Sequence, residues 1–365
     1  MEVFMRWPIL LAVSPLVVSA PLLAQSPTVV QPAAPADGHA AKTPFVQADA
    51  QTAVTELAAA LHEFYIYPDP GKAYATMLRA KLASGEYANF SDAVTFAKTV
   101  TADLQAVHAD GHLRLQAITP DQTGGARDSR GFSEASSVTK AGWIAPGVAY
   151  IAFNGFPGND ATLADVTEFL ASHQEATTLI IDERGNRGGG LAEMNLVFSQ
   201  IYPESTELVA MDTRQAHEEA HGSPPWEGSF MRKVAGPEGV VRRVHDAIPA
   251  AGQGNLAKAK VYLLVSQRTA SAGEHLALAL KRTGRATLIG ESTSGANHFG
   301  GIVPMGEGFL AFVPVGRTFD QDTGADWEGT GVKPDIEVPA DEALDRALEL
   351  AKVSVSGEVA LSSLE

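Results

Sequence analysis

Apolar runs that alternate with amphipathic stretches constrain the fold of this chain most. Strands are predicted for the apolar runs 148–153, 178–182, 261–265 and 286–290. Helices are predicted between or after them at 161–173, 191–202 and 272–283, and a strand pair follows across 301–315. The segment from about 203 to 258 is predicted to be irregular and polar. Regular alternation of strands and helices predicts an α/β fold for this part of the chain.

The region before this α/β part has a helical pattern. Val54, Leu57 and Leu61 share one helical face, a second apolar stripe runs from Tyr74 to Leu82, and a third helix is predicted after a cap at Ser91 or Asp92. We therefore predict a small helical N-terminal unit at 49–115, which ends in an Asp-Gly-His motif.

Composition excludes several classes of protein. The chain has 365 residues and a formal net charge of −16, which disfavours nucleic acid as a partner. It contains no Cys, so disulfides, thiol nucleophiles and zinc–thiolate sites are excluded.

The N-terminus predicts export. Residues 7–23 are apolar and follow Arg6, and small residues stand at Ala20 and Ala24, so we interpret 1–24 as a signal peptide. An uncleaved membrane anchor is the alternative. Removal of the signal would leave no stable membrane span, and the protein would be periplasmic or secreted. A Pro/Ala-rich linker is predicted at 25–48 and a C-terminal tail at 353–365, after a core at 143–352.

Three stretches of the sequence carry possible chemistry. A glycine-rich turn at 185–190 follows a strand and precedes a helix, where backbone N–H groups can face an anion. Ser271 stands at another strand-to-helix corner, where a hydroxyl is exposed beside backbone donors. His112 follows Asp110 and Gly111 directly after the helical unit. A tight turn, a helix cap and an ordinary histidine are the structural alternatives for these stretches.

A zinc site is the alternative catalytic hypothesis. Residues 217–221 read HEEAH, which fits the HExxH pattern of zinc peptidases. The helix could hardly continue into the Gly-Ser-Pro-Pro that follows, and no third ligand stands at a suitable spacing. We therefore expect neither a metal nor another cofactor.

Taken together, the motifs resemble the tail-specific, or C-terminal processing, serine peptidases. The similarity is strongest to the branch of the tricorn core protease and the interphotoreceptor retinoid-binding proteins. It is carried, in family order, by DGHLRL at 110–115, LIIDERGNRGGG at 179–190, the stretch 268–296 around TASAGE, and WEGTGVKPDIEV at 327–338. The resemblance implies a crotonase-like spiral of ββα units for the core.

The resemblance also implies roles for individual residues. Ser271 would be the nucleophile, and the N–H of Ala272 with that of Gly188 or Gly189 would form the oxyanion hole. The lysine base of the better-known branch is replaced by Ala296, 25 residues past the serine. The resemblance to the tricorn-like branch implies His112 as base and Glu328 as its carboxylate partner. His298, close to the position of the missing lysine, is the alternative base.

The predicted function is hydrolysis of peptide bonds in peptides or in protein C-terminal tails. Only about 27 residues, 116–142, separate the helical unit from the core, too few for the PDZ domain that the family often inserts there. A peptide or protein is therefore the expected partner, held by the active-site cleft itself. A non-catalytic protein that binds apolar ligands on the same fold remains an alternative.

Overall fold

The N-terminal unit is built from three helices. The structure is a computed structural model and describes residues 45–118, 133–224 and 228–364, so the predicted signal peptide and nearly all of the linker lie outside the described residues. The helices are α1 (Gln47–Phe64), α2 (Pro68–Ser84) and α3 (Ala93–Val107). Asp92 caps α3 by accepting the N–H of Thr95, so of the two predicted caps it is the aspartate that acts.

The core contains a six-stranded, mostly parallel sheet. Its strands are β2 (Val138–Ala145), β3 (Val148–Phe153), β4 (Thr178–Asp182), β8 (Lys260–Val265), β9 (Thr287–Gly290) and β12 (Ile336–Glu337). They lie in the order β12-β9-β8-β4-β3-β2, and only β2 pairs antiparallel. The predicted strands at 148–153 and 178–182 have the bounds that the structure gives them.

Helices cover both faces of this sheet. On one face lie α4 (Asp160–Ser172), α5 (Ala192–Ile201) and α7 (Ala272–Arg282), which enclose the largest apolar cluster. On the other face pack α8 (Ala343–Leu350) and α9 (Gly357–Ser362). The short helix α9 lies within the predicted C-terminal tail, where it packs against the edge strand β2.

A second, antiparallel sheet joins the helical unit to the core. It contains β1 (Arg114–Ala117), β5 (Thr206–Arg214), β6 (Met231–Val234), β7 (Val240–Ala247), β10 (Phe299–Pro304) and β11 (Phe309–Phe319). The alternate residues Leu115, Ala311 and Val313 face the three helices and complete their apolar core.

The prediction of an irregular segment across 203–258 is wrong. This segment forms β5, β6, β7 and the short helix α6 (Gln215–His221). Charged residues obscure the strand pattern, because Asp212 and Arg243 are buried as members of ion pairs. Among the described residues, no helix is long and apolar enough to cross a membrane.

Candidate active site

Ser271 lies where the turn after β8 enters α7, in a strained backbone conformation. Its φ of 54° and ψ of −115° lie in a region that residues with a side chain rarely adopt. Such strain persists only where the surroundings impose it, and it is typical of a nucleophile presented at a strand-to-helix corner. The corner predicted from the sequence is therefore present, with Ser271 directly before the first residue of the helix.

Glu274 holds the backbone of this corner through hydrogen bonds to its side chain. Its buried carboxylate accepts the backbone N–H of Ser271 at 2.8 Å and that of Ala296 at 2.9 Å, both on Oε2. Its Oε1 accepts from Thr293 Oγ1 and from the N–H of Gly295, both at 2.6 Å. Burial raises the pKa of Glu274, and these hydrogen bonds offset only part of that rise. Glu274 thus ties the corner to the 293–296 loop, a role that sequence reasoning missed although the Ser-x-x-Glu spacing signals it.

The glycine-rich loop lies against the same corner. A Cβ added to Gly188 would lie 2.7 Å from Ser271 Cβ and 3.1 Å from the N atom of Ala272. The N–H of Gly188 donates to Asn186 Oδ1 at 2.8 Å and is therefore engaged. The N–H groups of Gly189 and Ala272 donate to no acceptor within the described part of the chain. Of the three donors named from the sequence, these two remain available for an oxyanion.

A buried acid supports the glycine-rich loop. Asn186 donates its side-chain N–H to Glu183 Oε2, and its backbone oxygen accepts the N–H of Ala270. Glu183 is fully buried, and its Oε1 has no hydrogen-bond partner in the described structure. Burial raises the pKa of Glu183 well above its ordinary value. Glu183 therefore stays protonated and neutral over a range in which an exposed glutamate is charged.

Two carboxylates hold the turn that carries His112. Asp110 Oδ1 accepts the backbone N–H of His112 at 2.8 Å, and Glu328 Oε1 accepts that of Gly111 at 2.6 Å. Gly111 packs so closely on Ala296 that an added Cβ would lie 3.0 Å from its Cα. Ala296, which stands where the better-known branch has its lysine base, is thus covered by the turn that carries His112.

The His112 ring stacks on Phe312, with 4.8 Å between ring centroids and an interplanar angle of 24°. Its Nδ1 is buried without a hydrogen-bond partner among the described residues. Burial lowers the pKa of His112 to about 4. The imidazole is therefore neutral at physiological pH, which is the form that can accept a proton.

Glu328 contacts backbone rather than the His112 ring. Besides Gly111, it accepts the N–H of Asn297 at 2.7 Å and that of His298 at 3.2 Å, both on Oε2. The sequence-based interpretation expected its carboxylate beside a ring nitrogen of His112. In this structure Glu328 reaches His112 through the backbone of Gly111.

His298 pairs with Asp110. Its Nδ1 lies 2.7 Å from Asp110 Oδ2, which also accepts the Tyr65 hydroxyl at 2.8 Å. Burial opposes the charge of both partners. Their mutual attraction outweighs the effect of burial, so the pKa of His298 is raised and that of Asp110 is lowered to about 2.

The same two residues and Glu328 could in principle hold a metal ion. Among the described residues, Asp110, His298 and Glu328 are the one group of at least three such side chains whose potential metal-ligating atoms all lie within 4.8 Å of one another. Hydrogen bonds from N–H and O–H groups already occupy its oxygen atoms.

His298 faces away from the cavity beside Ser271. Asn297 and Phe299 line the cavity beside Ser271, whereas the intervening His298 packs against the rings of Tyr65 and Tyr67. Successive side chains of an extended segment point to opposite sides, so His298 faces the helical unit. No hydrogen bond joins Ser271 Oγ to either ring among the described residues. Alternation along the chain nevertheless directs His298 away from the cavity.

The HEEAH stretch lies in α6, which has only seven residues and ends at His221, directly before Gly222. Its Glu218 is paired with the buried Arg243 at 2.5 Å. The rings of His217 and His221 contact each other and Phe64. The glutamate that a zinc peptidase would use as a base is thus engaged in an ion pair.

Comparison with known proteins assigns the family. Residues 147–338 match the model of peptidase family S41, and residues 39–141 match the N-terminal domain of family S41 in eukaryotic interphotoreceptor retinoid-binding protein. The chain belongs to peptidase family S41, a family of serine-type peptidases.

Individual relatives are distant. The chain is 24% identical over 203 residues to the nisin-resistance protein of Lactococcus lactis subsp. lactis, covering 55% of this chain and 58% of the relative. It is 26% identical over 217 residues to a carboxyl-terminal-processing protease of Picosynechococcus sp., covering 60% of this chain and 45% of the relative. The chain thus spans about half the length of these curated relatives.

Two solved structures share the fold. A lipoprotein from Streptococcus agalactiae superposes with a TM-score of 0.53 at 13% identity, covering 83% of this chain and 96% of that one. The tricorn protease superposes with a TM-score of 0.51 at 12% identity, covering 87% of this chain and 36% of that one. At such identities these likenesses show the fold alone, and they agree with the α/β core predicted from the sequence.

Proposed function

We propose that this protein is a serine peptidase that hydrolyses peptide bonds, with Ser271 as nucleophile. The observation that carries the proposal is the strained Ser271 beside two unengaged N–H groups, those of Ala272 and Gly189. A carbonyl oxygen placed between them would be stabilised as negative charge develops on it. Loss of one such donor costs about 3–4 kcal/mol of transition-state stabilisation in comparable sites.

His112 is the proposed general base. Its imidazole is neutral. The turn that carries His112 packs on Ala296, and the backbone N–H groups of Ala296 and Ser271 both donate to Oε2 of Glu274. His112 would accept the proton of Ser271 Oγ as the serine attacks the carbonyl carbon. It would then return that proton to the leaving amine, and water would release the acyl group by the reverse sequence.

Glu328 is the proposed carboxylate partner of His112. Through its hydrogen bond to Gly111 it fixes the histidine turn, and its negative charge favours the imidazolium that forms during catalysis. His298, held by Asp110 and directed toward the helical unit, is the alternative base, and its geometry is better suited to positioning the same turn.

We further propose that the protein is exported and that its substrates are peptides or protein C-terminal tails. The apolar stretch at 7–23 after Arg6 supports export. The match to carboxyl-terminal-processing proteases supports the substrate class. An apolar-ligand carrier is less well supported, because the cavity beside Ser271 has a volume of only about 60 Å³ and the larger one, about 700 Å³, is lined by Asp182, Arg184 and Glu291.

Labelling with a fluorophosphonate tests this proposal. We expect the wild-type protein to be labelled on Ser271 and to cleave unstructured peptides, and Ser271→Ala to lose both properties while keeping its fold. Ser294→Ala is the matched control, since this hydroxyl is exposed and near in sequence. Equal cleavage by Ser271→Ala would refute the serine mechanism.

A further inference from the structure

The turn that carries His112 is held by side chains rather than by its own backbone. It lies between α3 and β1, and within the described part of the chain residues 110–113 form no hydrogen bond between backbone groups. The N–H groups of His112 and Leu113 instead donate to Asp110 Oδ1 at 2.8 and 2.9 Å. The position of the imidazole therefore depends on the side chains that satisfy this stretch of backbone.

Gln105, near the C-terminal end of α3, supplies three of the hydrogen bonds to this turn. Its Oε1 accepts the backbone N–H of Asp110 at 3.0 Å. Its Nε2 donates to the backbone oxygen of Asp110 at 2.8 Å and to that of Leu113 at 3.0 Å. The amide uses its donor and its acceptor together. Because these bonds end on both sides of His112, they fix the stretch of backbone that carries the imidazole.

The other two helices of the unit reach the same segment. Tyr65, directly after α1, donates its hydroxyl to Asp110 Oδ2, and Tyr74 of α2 donates to the backbone oxygen of His108, both at 2.8 Å. Tyr65 shares Asp110 Oδ2 with His298, whereas the hydrogen bonds of Gln105 end on the backbone of the turn. Gln105 is therefore the residue at which the turn can be perturbed with the pair of Asp110 and His298 left in place.

We propose that Gln105 is a positioning residue for the His112 base, a role that rests on the proposed peptidase function and makes the helical unit part of the support of the active site. In the described structure Gln105 does not line the cavity beside Ser271, so it acts through the backbone of the turn. A general base must stay within hydrogen-bond reach of the nucleophile, and a displacement of about 1 Å can slow a reaction about a hundredfold. The three hydrogen bonds of Gln105 oppose such a displacement.

Gln105→Met tests the proposal, because methionine has a similar length and lacks the amide. We expect kcat to fall by about tenfold to a hundredfold, with KM little changed since the residue does not line the cavity. The rate of fluorophosphonate labelling of Ser271 should fall by a similar factor, because labelling needs the same activated serine but no bound peptide. Wild-type kcat and a wild-type labelling rate in Gln105→Met would overturn the proposal.

Two control variants separate positioning from stability. Val100 is fully buried on the same helix, so Val100→Ala should destabilise the helical unit without removing a hydrogen bond to the turn. Gln51→Met removes an amide from an exposed position on α1. Both variants should keep the wild-type kcat under conditions in which the protein is folded. A fall in kcat in Val100→Ala as large as that in Gln105→Met would overturn the positioning role.

Gln105→Glu gives a readout that loss of stability alone would not produce. At pH 7.5 its carboxylate would face the backbone oxygens of Asp110 and Leu113 without a hydrogen to donate, so kcat should be low. The protonated carboxyl group regains one donor. We therefore expect kcat, relative to wild type at the same pH and per serine titrated with the fluorophosphonate, to rise severalfold from pH 7.5 to pH 5. A constant or falling ratio would contradict positioning by these hydrogen bonds.

Labelling of the wild-type protein separates this inference from the function on which it rests. If wild type is labelled on Ser271 and cleaves peptides, and Gln105→Met does so equally well, only the positioning role is lost. If wild type shows neither labelling nor cleavage, the peptidase function is refuted, and the role of Gln105 with it.

Discussion

The backbone N–H of Gly111 donates to Oε1 of Glu328 at 2.6 Å, although the two residues stand 217 positions apart. This bond places a carboxylate directly beneath the turn that presents His112. Glu328 is thus connected to the residue before His112 through a backbone hydrogen bond and not through the imidazole ring.

Loss of the Glu328 charge should slow turnover. Glu328→Gln removes the negative charge and turns an N–H₂ group toward backbone donors, so we expect kcat to fall by about tenfold to a hundredfold, the loss typical of one charged hydrogen bond. KM should change little, because the charge matters most when the imidazolium forms. Steady-state kinetics on one peptide measures this, with Glu337→Gln as control. Wild-type kinetics in Glu328→Gln would make Glu328 an ordinary structural acid.

The pH profile identifies the base. Because burial lowers the pKa of His112 to about 4, this ring stays unprotonated when the pH falls to 5. If His112 is the base, kcat/KM at pH 5 should keep about nine-tenths of its value at pH 7.5. The pKa of His298 is raised above its ordinary value of about 6.5, so a His298 base would keep less than about a twentieth of the activity at pH 5. Circular dichroism at both pH values checks that the fold persists.

Alanine substitutions separate catalysis from structure. His112→Ala should abolish turnover almost as completely as Ser271→Ala, because members of one catalytic relay act as a unit. His298→Ala should instead lower the free energy of unfolding by about 3 kcal/mol, because it leaves the buried Asp110 carboxylate without its cation. Kinetics and denaturant unfolding of the same variants measure both effects. An inactive but fully stable His298→Ala protein would identify His298 as the base.

The Asp110–His298 pair also predicts a pH dependence of stability. Asp110 has a lowered pKa, so its contribution is present above about pH 4 and is lost as the pH falls toward 2. His298 has a raised pKa, so its contribution is full below about pH 6.5 and is lost as the pH rises through its folded-state value. The stability difference between wild type and His298→Ala should therefore be greatest between about pH 4 and 6.5. A difference that does not vary from pH 4 to pH 9 would contradict this assignment.

Burial of Glu183 should make the folded protein less stable as the pH rises. Its pKa is raised by burial, so the folded state holds a proton that the unfolded chain releases above about pH 4.3. Stability therefore falls as the pH rises, and Glu183→Gln, which cannot ionise, should raise Tm relative to wild type at pH 8 and have less effect at pH 4. Thermal unfolding at both pH values measures this, and Glu175→Gln at an exposed position is the control. A lower Tm for Glu183→Gln at pH 8 would show that the acid is charged and paired in the folded protein.

Outside the segment 203–258, local patterns in the sequence determined the element types, and they also indicated the residues that could carry chemistry. Apolar runs and helical stripes depend on neighbours a few positions apart, so they predict β3, β4 and α7 with nearly the bounds observed. The same kind of pattern predicted a strand-to-helix corner at Ser271, and the motifs around it indicated the family.

Tertiary structure decided what these residues contact. The strands across 203–258 are stabilised by burial and by ion pairs such as Arg242 with Asp212, 30 positions apart, which no local pattern reveals. Packing also gave the N–H of Gly188 an acceptor, whereas that of Gly189 has none among the described residues. It directed His298 toward the helical unit, where Asp110, 188 positions away, supplies its charge partner. Hydrogen bonds and burial across such separations depend on where the folded chain places each group, and only the three-dimensional structure contains that information.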